Sequence, residues 1–360
     1  MDPATDPGPA VPAVLRHAPA VDDAVRAAAV GLAEELTAID DGLASMATML
    51  TDAADGGKRL RGALVRWAYT AHGGADPDDV NGAAVAVELV HLSALVHDDV
   101  IDRSDLRRGR PSVHARAAAD HPSPASAAAR EHGRAVAVLL GDALLAAAAR
   151  PLRTSRVAAG ALDAAHEAFV RLQVEVMAGQ YLDVDAASRR SVGTARALTI
   201  ATLKSGRYSV ARPLELGALL AGVAPGATGS LLAVGDALGV AFQLRDDLLG
   251  VFGDPDVTGK PAGADLVEGK RTLLVAETLA RLVGAERTAF DAGLGSEGLD
   301  ASDVARLVRT IEGCGARAAL EGRIDAVAAQ ARDGIEELPI GPSARAELRE
   351  LAGWMTTRHH

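Results

Sequence analysis

The chain has 360 residues, 49% apolar but only 2% aromatic, so its core must be built from Ala, Leu and Val. Ala and Leu lead the ranking of helix formers, and β-branched or aromatic runs that favour strands are sparse, which points to an all-α protein. A net charge of −11 with no basic block excludes nucleic acid as the main partner, and the single cysteine, Cys314, excludes an internal disulfide.

Residues 1–20 carry Pro, Asp and Ala without periodicity and are expected to be a disordered lead-in. They lack the basic start and apolar run of a signal peptide. With the lone cysteine, which fits a reducing compartment, this gives the expectation of a soluble cytoplasmic protein. From about Val21 the chain reads as a succession of helices in one domain, 21–360. DDAVRAAAVGLAEELTAIDDGLASMATML (22–50) places apolar residues every three or four positions, as an amphipathic helix does. NGAAVAVELVHLSALVHDDVID (81–102) is apolar nearly all round until its end, the pattern of a helix in the middle of a large helical protein. HPSPASAAAREHG (121–133) reads as a loop. Helices are expected over 134–150, 156–182, 192–203, 206–221, 228–251, 271–283, 301–313, 316–333 and 342–356. AVAVLLGDALLAAAA is expected to be too short and interrupted to span a bilayer, and no fixed-period repeat appears.

The first apolar helix runs into HDDVIDRSDLRRGR (97–110), four aspartates and four arginines in fourteen residues. Asp98 and Asp102 are four apart, which on a helix sets both carboxylates on one face, about 6 Å apart along the axis. With Asp99 beside them, they offer oxygen ligands that suit a hard divalent cation such as magnesium. Many such spacings are only solvated helix ends. Acids at a helix C-terminus, however, oppose the helix dipole unless a cation compensates. A second apolar helix ends alike, in AFQLRDDLLGVFGD, with Asp246 and Asp247 one turn after Gln243. Around these lie Lys58 and Arg61 in GGKRLRG, Arg107 and Arg108, Lys204 in ATLKSGRYS, Lys260 in VTGKPAG, and Lys270 with Arg271 in EGKRT. Any one is an ordinary surface charge; together with paired carboxylates they point to a polyanion carried partly on metal.

In this order and spacing, GGKRLR, ELVHLSALVHDDVIDRSDLRRGRPSVH, GDALLA, GQYLD, LKSG, FQLRDDLLGVFGD and TGKPAGADLVEGKRTLL resemble the trans-prenyl diphosphate synthases, or polyprenyl synthetases, over about residues 40–340. The second motif is similar to that of geranylgeranyl enzymes of high-GC bacteria. The resemblance implies a single helical bundle around a deep cavity (the isoprenoid synthase type I fold), usually a homodimer. It implies condensation of isopentenyl diphosphate with an allylic diphosphate held by magnesium, three ions with substrate bound, for which manganese is an alternative. It assigns Asp98, Asp102 and Asp246 as direct metal ligands, with Asp99 and Asp247 in support. Arg107, Lys204 and Lys260 become grips on the allylic diphosphate. Lys58, Arg61, His91 and Arg108 become the isopentenyl diphosphate site, and Gln180 and Gln243 cavity-lining residues. Lys270 joins the substrate-binding set. Two positions depart from the family pattern. The third acid of the second motif is Gly250, and Ser205 stands after Lys204 where threonine is frequent.

In this family the growing tail runs past the residues just before the first motif. Ser93 and Ala94 are small there and leave the floor open, with Leu89 and Val90 about one turn deeper. The expected product is twenty-carbon geranylgeranyl diphosphate, the alternatives being longer or farnesyl chains, or a non-catalytic regulatory subunit. A class I terpene cyclase would need an Asn/Asp–Ser/Thr–Glu triad that DDLLGVFGD does not supply. A metal-dependent hydrolase built on a His–Asp pair lacks its remaining elements, so His97 is expected to be structural.

Overall fold

The computed structural model describes residues 11–189, 192–254, 262–296 and 298–357, and these are almost wholly helical. In order the helices are α1 (Ala18–Ile39), α2 (Ala44–Ala54), α3 (Leu60–Ala71), α4 (Asn81–Ile101), α5 (Val113–Ala119), α6 (Ala127–Leu152), α7 (Ala159–Ser188), α8 (Thr194–Ile200), a π-helix (Ala201–Ala211), α9 (Arg212–Leu220) and α10 (Gly229–Phe252). They continue with α11 (Ala264–Val267), α12 (Leu273–Arg281), α13 (Gly284–Gly293), α14 (Ala301–Gly313), α15 (Ala316–Glu337) and α16 (Pro342–Thr357). The strands among the described residues are a two-residue pair, β1 (Leu106–Arg107) and β2 (Arg110–Pro111).

These residues form two compact units. In the first, His17–Phe169 with Leu216–Val223, α4 packs against α6, α3 and α1, and is buried from Ala83 to Val96 on most sides, as its all-round apolar sequence requires. In the second, which includes Val170–Glu215 and Ala224 onward, α10 packs against the π-helix, α15 and α16. Its core gathers Leu244, Leu248 and Val251 with Leu274, Phe290, Leu307, Ile311, Leu320 and Ile324. Both cores are dominated by Ala, Leu and Val, as composition demands.

Several expectations are corrected. The lead-in expected over 1–20 ends sooner: a 3₁₀ turn spans Ala13–His17 with Val14 and Leu15 buried. It is tied down by the Ala13 N–H donating to Glu350 at 3.1 Å and by an Arg16–Glu347 ion pair at 2.8 Å. The helix read through 22–50 breaks at Asp40, whose extended backbone and side chain, accepting from the Gly42 N–H at 2.7 Å, stop α1. The loop of 121–133 gives way at Ala127, because Ser126 caps α6 by accepting from the Ala129 N–H at 3.0 Å. α13 is an element the periodicity missed. The gap expected between 203 and 206 is bridged by the π-helix. Finally, α6 runs 26 residues straight through Gly141 and Asp142, so by length and composition it is long enough to cross a membrane, as is Pro77–Ile101. The apolar window of the latter is 67% buried within the protein, that of α6 33%.

Candidate active site

The first cluster lies in the first unit, where α4 gives way to the β1–β2 hairpin. Asp98 sits in the last turn of α4 and Asp102 caps it, its N–H donating to the Asp98 carbonyl at 2.8 Å, so both carboxylates stay on one helical turn. Both are part-exposed, whereas Asp99 is buried and accepts from Arg107 Nε at 2.9 Å and from its Nη2. Burial raises the Asp99 carboxyl above its ordinary range, and the Arg107 hydrogen bond opposes that rise. Asp99 therefore holds Arg107, whose Nη2 stands 3.9 Å from Asp98.

Arg108 and Gly109 form the two-residue turn of the hairpin, both with positive φ (53° and 73°), as a turn matching strand twist requires. Glycine adopts that backbone freely; an arginine there is strained. Among the described residues the non-glycine positive-φ positions are Arg59, Arg103 and Arg108, all around this cluster. Arg108 reaches the loop before α3, donating to the Asp55 carbonyl at 3.1 Å and lying against Gly57, which brings the GGKRLRG segment to the hairpin. Its pKa is lowered by burial and by the nearby charges of Arg59 and Arg107. His91 is pushed well below the usual imidazole range by burial, then by Arg61, Arg108, Arg59 and Arg107. The arginine charges that depress His91 favour an anion in their neighbourhood.

Arg59 went unassigned from sequence. It is the buried member of the loop, pairing with Asp22 at 2.8 Å, donating to the Ala54 carbonyl and lying 3.8 Å from buried Glu88. Glu88 in turn accepts from the Gly62 N–H at 2.9 Å, fixing the start of α3. Arg59→Ala should lower unfolding free energy by about 3 kcal/mol or more in urea titration, since it strands a buried carboxylate; a change under about 1 kcal/mol would refute the anchor role. His97 is structural: its Nε2 lies 3.1 Å from the Val138 carbonyl on α6, and its ring fills the space a side chain at Gly141 would need.

The second cluster lies in the second unit. Asp246 is exposed near the end of α10, while Asp247 is buried and accepts from Gln243 Nε2 at 2.7 Å. Burial, opposed by the Gln243 bond and reinforced by the charges of Asp265 and Asp246, pushes the Asp247 carboxyl up to about 8. Lys204 and part-exposed Ser205 ride on the π-helix, a geometry frequent at functional sites. Lys204 reads as solitary in sequence, but its Nζ pairs with Asp183 of GQYLD at 2.6 Å. Gly179 makes this possible: a Cβ there would overlap the Lys204 backbone, so α7 can approach it closely, and Asp183 follows one turn on. Gln180 beside it is part-exposed. Lys270 pairs with Glu268 at 2.7 Å and Asp265 at 3.3 Å. Lys260 lies outside the described residues. Asp183 and Asp265 were missed because sequence spacing did not mark them as neighbours of these lysines.

Among the described residues no three acidic, histidine or cysteine side chains are preassembled into a metal-holding group. Part-exposed Asp98 and Asp102, and exposed Asp246, nevertheless suit magnesium. That ion is commonly bound through one or two carboxylates, its remaining positions filled by water and substrate phosphates.

Residues 43–311 match the family model described as polyprenyl synthetase. The (2E,6E)-farnesyl diphosphate synthase of Mycobacterium tuberculosis is 37% identical over 308 residues, covering 84% of this chain and 80% of that enzyme. The geranylgeranyl diphosphate synthase of Methanosarcina mazei is 32% identical over 305 residues, covering 85% and 87%. Among solved structures, geranylgeranyl pyrophosphate synthase from Corynebacterium glutamicum, complexed with isoprenyl diphosphate and magnesium, superposes with a TM-score of 0.87 at 35% identity, covering 94% of this chain and 98% of that one. The ordered motifs, the all-α fold and these matches show that the chain belongs to the polyprenyl synthetase family, divalent-metal-dependent transferases that elongate prenyl diphosphates.

Proposed function

We propose that the protein condenses isopentenyl diphosphate with an allylic diphosphate, with magnesium as its metal and geranylgeranyl diphosphate as its product. Relatives of similar identity carry both farnesyl and geranylgeranyl names, so the product rests on this chain's own residues. The observation that carries the reading is the open line on α4. Ala94, Leu95 and Asp98 are part-exposed, and the helix bears no Phe, Tyr or Trp to block a growing tail.

Asp98 and Asp102 in one unit, and Asp246 in the other, are each assigned to metal binding, and bound metal would supply charge neutralisation to the departing diphosphate. Arg107, held by Asp99, and Lys204, held by Asp183, add fixed positive charge for the allylic diphosphate; Lys260 completes that set, and Lys270 joins the substrate-binding residues. Lys58, Arg61 and Arg108, with neutral His91, take isopentenyl diphosphate. The allylic carbon–oxygen bond breaks, the isopentenyl double bond supplies the new carbon–carbon bond, and the proton lost is taken by the released diphosphate. No dedicated base is required of the protein. Gln243, bonded to Asp247, keeps the second carboxylate pair oriented. One catalytic domain over 21–360 is part of this proposal, and the family match over residues 43–311 covers most of that span. Family membership and the burial of α4 support a soluble protein without stable membrane insertion, and the cytoplasm is its proposed compartment.

Incubating the purified chain with farnesyl diphosphate, labelled isopentenyl diphosphate and magnesium should give a dominant twenty-carbon product by chromatography. A dominant fifteen-carbon product from geranyl diphosphate would overturn the geranylgeranyl assignment.

The protein is also proposed to act as a homodimer. Val170, Val174, Met177, Tyr181 and Val184 are exposed on α7 at alternating spacings of four and three, the seam of a helix that packs on another. A second copy of this chain supplies a matching seam. By light scattering coupled to size exclusion, the parent should run near twice its 36.7 kDa and Val174→Glu should shift toward monomer. A monomeric parent would sink this reading.

A further inference from the structure

Outside the motifs, Arg207, Arg212, Glu175, Glu215 and Asp236 form one ion-paired cluster in the second unit. Arg207 forks onto Asp236, Nε to Oδ1 at 2.9 Å and Nη2 to Oδ2 at 2.6 Å, and its Nη1 reaches Glu175 at 3.4 Å. Arg212 forks onto the same Glu175 at 2.8 and 2.6 Å, while its Nη1 donates to buried Glu215 at 2.5 Å. One carboxylate shared by arginines five residues apart is not an α-helical pattern. Five residues turn an α-helix through about 500°, which leaves the two side chains roughly 140° apart. Here the Arg212 N–H donates to the Arg207 carbonyl, the i→i+5 bond of a π-helix, and that bond stacks the two residues on one face. Such helices are rare and mostly last a single turn, so the 11 residues of Ala201–Ala211 need support from their surroundings. Gly239 of α10 gives part of it: a Cβ there would come within 2.3 Å of the Gly206 carbonyl oxygen. Glu175 lies on α7, eight residues before Asp183 and so about 12 Å from it along the same helix. α7 therefore holds the π-helix at two points, Glu175 on the two arginines and Asp183 on Lys204.

We propose that Glu175, Arg207 and Arg212, braced by Asp236 and Glu215, lock the π register of this helix and thereby aim Lys204 at the allylic diphosphate. They are positioning residues, acting through Lys204 rather than on substrate. The inference rests on the reading of Lys204 as a grip on that diphosphate. Its physical content is a choice of register. Without the clamp the segment closes i→i+4 bonds, as an α-helix does, and drops one residue from the turn. Residues before the change then rotate by about 100° relative to those after it. Lys204, three residues before Arg207, swings away from Asp183. The residues assigned to isopentenyl diphosphate belong to the other unit and keep their own supports.

The test is a double-mutant cycle. Arg207→Met, Lys204→Ala and the variant carrying both are compared with the parent by thermal melting and by steady-state kinetics, each substrate varied in turn. Arg207→Met should raise the KM for the allylic diphosphate about tenfold, within the range by which neighbouring residues couple. The KM for isopentenyl diphosphate should stay at the parent value. In the Lys204→Ala background the same substitution should cost less than about threefold, because no Lys204 is left to act through. Losses that multiply in full, or a KM rise shared equally by both substrates, would mark the cluster as a general stabiliser and overturn the proposal. If Arg207→Met does not fold, Arg207→Lys, which keeps the charge but not the fork, takes its place in the cycle under the same criteria. If the parent turns over no prenyl substrate, or Lys204→Ala leaves the allylic KM unchanged, the reading of Lys204 fails and this inference falls with it. A damaging Lys204→Ala beside an indifferent Arg207 overturns the inference alone.

Discussion

Asp98→Asn should lower kcat by about a thousandfold while leaving the fold at least as stable as the parent. Asp98 is assigned to the metal that neutralises the leaving diphosphate. Interactions aimed at charge developing in a transition state are each worth about 10²–10³ in rate when removed, and a metal-borne one is not weaker. The same carboxylate sits in the last turn of α4, part-exposed, where negative charge opposes the carbonyl end of the helix dipole. Removing it should therefore gain stability, by about 0.3–1 kcal/mol. Steady-state kinetics with urea unfolding would show the two effects moving in opposite directions. Loss of activity accompanied by loss of stability would instead mark Asp98 as a structural residue.

Ala94→Phe should shorten the dominant product by one five-carbon unit, and Ser93→Phe should do so much less. The sequence treats both small residues as one open floor, but their burial differs. Ser93 is 2% exposed, as are Leu89 and Val90, while Ala94 is part-exposed. At 100° per residue, position 94 lies about 40° from Asp98 around the helix, and position 93 about 140° from it. A tail leaving a diphosphate held at Asp98 follows the line through Ala94, where a phenyl ring would meet it about one turn, or roughly 6 Å, down the axis. A ring at 93 must instead force its way among packed neighbours. It should cost about 1–3 kcal/mol of stability and leave the product largely unchanged. Product chromatography of both variants decides it; equal shortening by both would mean the tail runs down a different face of α4.

Much of the fold was readable before the structure. The Ala- and Leu-rich periodicity marked α4 and α10 as buried helices ending in acid, because a helix face is a matter of local spacing. The order of the charged motifs likewise identified the chemistry, since their spacing is a property of the chain. The errors fell where distant residues intervene. The ordered start at Ala13 depends on Glu350, and the missed anchor Arg59 depends on Asp22 and Glu88. Within GGKRLRG nothing local distinguishes the cation that is buried from those that stay accessible.

Gly250 shows where the division lies. The sequence by itself determined an all-helical chain, two carboxylate pairs at helix ends and the cations around them, because these follow from composition, period and spacing. It read Gly250 as a lost acid. Only the tertiary structure decided which neighbour of each pair turns inward, that Lys204 belongs with Asp183, and that the space at 250 is taken by Asp265. Those choices depend on the packing of segments far apart in sequence, which no local pattern encodes.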